Sequence, residues 1–241
     1  RRKLLDNDIS QVSPSYFSKI QQYNRILNQR NHLLKKMQSH RIYNSDEIKI
    51  WNSQFLNISI EIIKKRIHVL EKLSPLTRLI MRKLTGGQES LEIRYLLNRR
   101  LELSKTDGIK DMLEEEMEKN LKEEIKRGMT LWGPHRDDLI FLLNDSDLRF
   151  FGSQGQHRTA VLAIKLAEIE YIKTESGELP VLLLDDVMSE LDLQRREQLI
   201  NAIIDKKIQC FISATETPSI LANEKIQKKE FEIAQGRLFE K

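Results

Sequence analysis

Two adjacent carboxylates close an apolar run: Val181-Leu182-Leu183-Leu184 leads directly into Asp185-Asp186. A buried strand ending in acids puts carboxylates at the carboxyl edge of a sheet, where α/β proteins bind ligands. There the first acid can hold a hydrated Mg2+ facing nucleotide phosphates. The second can orient or polarise an attacking water. Taken alone, the pair fits equally well a strand that merely ends in an acidic turn. A second cluster stands about 30 residues upstream, Phe151-Gly152-Ser153-Gln154-Gly155-Gln156-His157-Arg158-Thr159. Small residues there leave backbone N–H groups open at a helix N-terminus, whose partial positive charge suits phosphate. The Ser153 hydroxyl can add a hydrogen bond. The plain alternative is a glycine-containing loop capped by Ser153.

The residues that continue each cluster narrow the reading. Val187-Met188-Ser189-Glu190-Leu191-Asp192 follows the two acids, and LLLDDVMSELD resembles the Walker B strand and D-loop of ABC-type ATPases. FGSQGQHRT resembles the ABC signature loop, with SQGQ where transporters have SGGQ. Further upstream stands Gly133-Pro134-His135-Arg136-Asp137-Asp138-Leu139. The order GPHRDDL, SQGQxRT, LLLDDVxSELD is similar to that of RecF-type DNA repair ATPases of the ABC/SMC class. Arg2-Lys3-Leu4-Leu5-Asp6, Ile9-Ser10-Gln11 and Ser13-Pro14 with Tyr16 also resemble that family's entry to its helical arm. The resemblance covers essentially the whole chain and is densest over residues 131–192.

This resemblance implies an ATP-dependent homodimer. Each signature loop, here Ser153, Gln154, Gly155 and Gln156, closes on ATP held by the other subunit. It assigns Asp185 to Mg2+, Asp186 to the attacking water, and Ser189, Glu190, Leu191 and Asp192 to the D-loop. It implies action at gapped or damaged DNA, with RecO and RecR, to help load RecA in the cytoplasm. Several roles stay open. Arg136 either contacts phosphate or pairs with Asp137 or Asp138. His135 contacts the site or makes an ordinary hydrogen bond. Lys165 couples the site to the arm or solvates its helix. Thr215, in Ser213-Ala214-Thr215-Glu216, either replaces the γ-phosphate-sensing His of transporter ATPases or is a turn residue.

The sequence departs from the family in two ways. RecF proteins begin with a G-x-x-x-x-G-K-[ST] phosphate loop. Here Gly86-Gly87-Gln88 has neither the spacing nor the Lys, and the chain opens on Arg1-Arg2-Lys3 without Met. The expectation is a C-terminal portion whose nucleotide cradle lies before Arg1, inactive alone, from a slow DNA-dependent ATPase. Asp186 also replaces the Glu of many ABC proteins and reaches one methylene less far. A transporter ATPase subunit predicts SGGQ, a downstream switch His and no GPHRDD, and the sequence disagrees on all three. A non-enzymatic DNA-binding or scaffold fragment with half an ATP site is the other reading.

These residues need elements to position them. Ser13-Pro14 opens a helix with apolar residues at Tyr16, Ile20, Tyr23, Leu27, Leu34 and Met37. Ser45-Asp46-Glu47 opens a second, with Ile48, Trp51, Phe55, Ile58, Ile62 and Val69, ended by Ser74-Pro75. Two long stripes joined by a short polar link predict an antiparallel helical hairpin. Beyond Thr85-Gly86-Gly87, strands are predicted at Leu91–Tyr95, Leu139–Leu143, Leu148–Phe151, Val181–Leu184 and Cys210–Ile212. Helices are predicted at 109–127, from the Ser153–Gln156 loop to Lys173, and at Leu193–Ile204. A terminal hairpin turns at Gln235-Gly236. The fold class is then the C-terminal part of an α/β ABC-type ATPase head, residues 85–241 (lobe I), with an inserted helical-hairpin arm, residues 1–84 (lobe II).

Charge follows the same division. Residues 1–84 hold 17 Lys/Arg against 6 Asp/Glu, a net of +11, and residues 85–241 hold 23 against 30, a net of −7. Such an arm either meets DNA phosphates or is a solvated surface. Arg25, Arg30, Lys35, Lys36 and Arg41 are the candidate contacts, suited to double-stranded or single/double-strand junction DNA, because the arm lacks a row of stacking aromatics. One cysteine, Cys210, excludes a disulfide framework and favours a reducing cytoplasm. No apolar run approaches the ~18 residues that span a bilayer.

Overall fold

The computed structural model describes residues 1–40, 45–103, 106–186, 188, 191–214 and 228–240. The chain forms two compact units, Arg1–Glu178 and Leu179–Lys241.

The first unit begins with α1 (Arg2–Val12), α2 (Pro14–His40) and α3 (Ser45–Leu84). Contacts pair Lys19 with Glu61, Tyr23 with Phe55 and Arg30 with Asn52, so α2 and α3 run antiparallel. The predicted stop at Ser74-Pro75 is wrong. Proline lacks an N–H and costs ~3 kcal/mol inside a helix, yet α3 runs through Pro75 to Leu84. Thr77, Ile80, Met81 and Leu84 continue its buried face beyond the proline. The Thr77 hydroxyl donates to the Leu73 carbonyl, and the Ser74 hydroxyl accepts from the N–H of Ile93 on the adjoining strand. Tertiary packing thus overrides a local stop signal.

Next come β1 (Leu91–Leu97), β2 (Leu101–Leu103), α4 (Ile109–Arg127), β3 (Asp138–Leu143) and β4 (Ser146–Asp147). They form an antiparallel sheet of order β2-β1-β3-β4. In β1, Leu91, Ile93, Tyr95 and Leu97 point inward on the two-residue period of a half-buried strand. α4 lays Leu121 and Ile125 on a cluster of Leu33, Leu34, Met37 and Ile48.

The strand expected at Leu148–Phe151 is a short helix, α5 (Leu148–Phe151). Asp147 caps it by accepting from the Arg149 N–H, and Phe150 and Phe151 are both exposed, without the alternate burial of a strand. α6 (Gln154–Ser176) follows, runs slightly past Lys173, and ends at Gly177, whose φ is +78°. Its burial from Thr159 to Tyr171 is nearly continuous, as expected of a helix packed on α1 and α3.

The second unit contains β5 (Leu182–Asp185), α7 (Leu193–Asp205), β6 (Cys210–Ser213), β7 (Phe231–Ala234) and β8 (Arg237–Glu240). β5 and β6 are parallel neighbours joined through α7, a β-α-β crossover. The apolar run before the acids was expected to be buried. Among the described residues Leu184 is buried, but Val181 and Leu183 are exposed. β7 and β8 form the expected hairpin, with φ of +51° at Gln235 and +75° at Gly236, the paired left-handed residues of a two-residue turn. Cys210 is half-buried, which pushes its thiol up to about 11. No described helix is long and apolar enough to cross a membrane.

Candidate nucleotide site

The Ser153–Gln156 segment, expected as a loop, is the start of α6. Ser153 alone precedes the helix, as its N-cap in extended conformation. The Gln156 N–H donates to Ser153 Oγ at 3.2 Å, and the Ser153 N–H donates to Gln156 Oε1 at 2.8 Å, a reciprocal capping box. The Gln156 side chain also donates through Nε2 to Glu89 Oε1 at 2.9 Å, tying the helix start to the turn after α3. Gly152 is needed for space: a Cβ there would lie 2.6 Å from the Leu148 carbonyl oxygen. Ser153, Gln154 and Gly155 are exposed. First-turn N–H groups of a helix have no intrahelical acceptor, so those of Gln154 and Gly155 suit an anion.

The two acids lie at the carboxyl end of β5, where the sequence puts them. Asp185 stands opposite Ser213 in the parallel register. Ser213 Oγ donates to Asp185 Oδ1 at 2.6 Å and accepts from the Asp186 N–H at 3.0 Å. Asp186 has φ of +51°, the left-handed region that non-glycine residues seldom adopt. Sequence reasoning missed Ser213 and chose Thr215, two residues on; matching the ends of the two strands would have found it. Thr215, Ser189 and Glu190 lie outside the described residues. Leu191 is buried, and its carbonyl accepts from Arg196 Nε at 2.8 Å. Asp192 caps α7: its Oδ1 accepts from the Arg195 N–H at 2.9 Å, which, with the Arg195 side chain, holds its carboxyl below the usual range.

The GPHRDD residues form a buried junction. Gly133 has φ of +112°, and a Cβ there would meet the Phe55 ring at 2.8 Å. Tyr23 OH contacts His135 Nδ1 at 2.6 Å and receives the His135 backbone N–H at 3.3 Å. Burial, and then the nearby Arg136 charge, lower His135 to about 4, so its imidazole is neutral at pH 7. The Arg136 guanidinium donates to the Thr130 carbonyl at 3.2 Å. Asp137, fully buried and raised by that burial, accepts from Tyr95 OH and from the Asn98 N–H and faces Arg66 at 3.9 Å. Arg66 also grips Asp6 with two hydrogen bonds of 2.8 Å, and Asp138 is held by Arg1. The motif therefore locks α1, α2 and α3 to the β1–β3 sheet.

Of the candidate DNA contacts, Arg25, Lys35 and Lys36 are exposed on α2, and Arg41 lies outside the described residues. Arg30 is a correction. It is fully buried and donates to Asn52 Oδ1 at 2.9 Å, Thr130 Oγ1 at 2.7 Å and Glu124 Oε2 at 2.6 Å, with its guanidinium 5.2 Å from the Phe55 ring centre. It cannot reach a phosphate without vacating the core. Lys165 binds Glu168 of its own helix at 2.6 Å, beside Asp8 of α1.

No family model matches the chain. Sequence relatives do. The DNA replication and repair protein RecF of Halothermothrix orenii is 45% identical over 230 residues, covering 91% of this chain and 61% of that protein. The RecF of Staphylococcus carnosus is 40% identical, covering 99% and 64%. Two solved structures also match over the whole chain at 36% identity. The recombination mediator protein RecF with ATP in the RecFOR pathway gives a TM-score of 0.84, and RecF with ATPrS gives 0.83; in each, 62% of that structure is covered. The chain thus spans a little under two thirds the length of its curated relatives. Motif order, elements and both comparisons agree that the chain belongs to the RecF family.

Proposed function

We propose that this chain supplies the signature loop, Walker B acids and helical arm of an ATP-dependent DNA repair protein. The capped start of α6 carries the reading: Ser153 holds the first turn while Gln154 and Gly155 remain exposed with open N–H donors. In a homodimer these groups receive the γ-phosphate of ATP bound by the other subunit. Asp185 offers hard carboxylate oxygen at the end of β5. Mg2+ is commonly bound by one or two carboxylates plus substrate phosphates, and Asp185 is such a carboxylate. Bound Mg2+ would neutralise phosphate charge; Asp186 orients water, and the D-loop Ser189, Glu190, Leu191 and Asp192 carries the backbone onward to α7.

The relatives, DNA replication and repair proteins and a recombination mediator of the RecFOR pathway, support action on gapped or damaged DNA with RecO and RecR in the cytoplasm, to help load RecA. The division of labour at residue 84, with lobe II meeting double-stranded or junction DNA through Arg25, Lys35, Lys36 and Arg41, belongs to the same reading. Asp186→Asn in the full-length protein tests it. The amide keeps shape but loses the charge that polarises water. Hydrolysis should fall by ~100-fold or more, the low side of general-base effects, while ATP binding persists and ATP-bound dimers accumulate. Wild-type turnover removes Asp186 from the reaction.

A further inference from the structure

We propose that the Ser213 hydroxyl is a positioning group for the nucleotide–metal site, fixing the Asp185 carboxylate and the Asp186 backbone as one unit; this rests on the reading of Asp185 as the Mg2+ ligand. The relevant geometry is a single oxygen with two bonds. Ser213 ends β6 directly opposite Asp185. Its Oγ gives a 2.6 Å hydrogen bond to Asp185 Oδ1 and takes one of 3.0 Å from the Asp186 N–H. A bond from hydroxyl to carboxylate is charge-assisted and stronger than a neutral one. It fixes the rotation of the Asp185 carboxyl and leaves Oδ2 as the oxygen for a cation.

The second bond acts on the backbone. Asp186 stands at φ of +51°, a conformation that non-glycine residues keep only when their surroundings impose it. The Ser213 oxygen anchors the N–H of that residue. Few side chains can do both jobs. A hydroxyl donates and accepts at one atom; a methyl does neither, and a carboxylate would repel Asp185. Because Ser213 is exposed, its role is not to fill the core. The hydrogen bonds that orient a metal ligand commonly matter by ~10–100-fold in metal affinity, which sets the expected scale.

The test uses Ser213→Ala, Ser213→Thr and Asp185→Asn in the full-length protein, with Mn2+ as the probe. Mn2+ binding in the presence of ATP is followed by electron paramagnetic resonance, and thermal melting is followed without nucleotide. Ser213→Ala should weaken Mn2+ binding at least ~10-fold while melting stays near wild type. Ser213→Thr, which keeps the hydroxyl, should restore binding to within a few-fold. Asp185→Asn should weaken it further. If Asp185→Asn weakens Mn2+ binding and Ser213→Ala does not, Ser213 has no positioning role. If Ser213→Ala and Ser213→Thr fall equally, the hydroxyl is not the active feature and the proposal is overturned. If Asp185→Asn binds Mn2+ like wild type, the metal reading fails and takes this proposal with it.

Discussion

Arg30 of α2 and Glu124 of α4 meet at 2.6 Å with both side chains fully buried. The rest of each group is engaged too: Arg30 reaches Asn52 and Thr130, and Glu124 Oε1 accepts from the Leu131 N–H at 2.8 Å. A buried ion pair need not stabilise relative to apolar residues, but removing one partner strands a charge and costs roughly 3–5 kcal/mol. Arg30→Met and Glu124→Leu should each destabilise by that amount. The double variant should recover most of the loss. Urea unfolding measures this; losses that simply add would show that the two groups are not coupled.

The same pair shows what sequence reasoning could and could not see. Buried positions on α2 are Tyr16, Tyr23, Ile26, Arg30, Leu33, Leu34 and Met37. Arg30 falls on the helical period of that stripe, so its burial was legible from spacing, but a charge was read as surface. Its partner Glu124 stands 94 residues away and leaves no local mark. Pro75 and Leu148–Phe151 were misread for a related reason: packing of α3 onto β1 and an Asp147 cap outweigh local propensity. The motifs at Asp185 and Ser153 were legible because their chemistry is local, a strand end and a helix start. Ser213 was missed because the β5–β6 register joins it to Asp185 across 28 residues.

A second buried pair predicts how stability changes with pH. Burial, and then the neighbouring Glu168 carboxylate, raise Asp8 to about 8 against an ordinary 3.8; burial raises Glu168 as well, with Lys165 opposing. The folded protein therefore holds more protons here than the unfolded chain above pH ~4. This contribution falls as pH rises toward 8, by at most about 1.4 kcal/mol per unit for one proton. Asp8→Asn imitates the protonated acid and should lose this dependence. Its melting temperature relative to wild type should climb between pH 6 and 8. Parallel pH profiles would show that Asp8 is ionised in the folded state.

The basic face of α2 gives a third prediction. Reversing Arg25, Lys35 and Lys36 to Glu in the full-length protein should weaken DNA binding with little dependence on sequence. If each contacts one phosphate, the logarithmic salt slope should fall by roughly 2.7, at about 0.9 per contact. Folding should be unaffected, since all three are exposed. Binding measured over a salt series decides; an unchanged affinity and slope would place the DNA elsewhere.

If the Ser153 turn closes on ATP held by another subunit, Ser153→Arg should block that closure. The substitution puts a bulky cation at the N-cap of α6 and removes the Oγ that accepts from Gln156. An N-cap loss costs only ~1 kcal/mol, so the monomer should fold. In sedimentation of the full-length protein, ATP should drive the wild type to dimer, while Ser153→Arg should bind ATP as a monomer and stay one. An ATP-dependent dimer of wild-type strength in Ser153→Arg would place the Ser153 turn outside the shared ATP site.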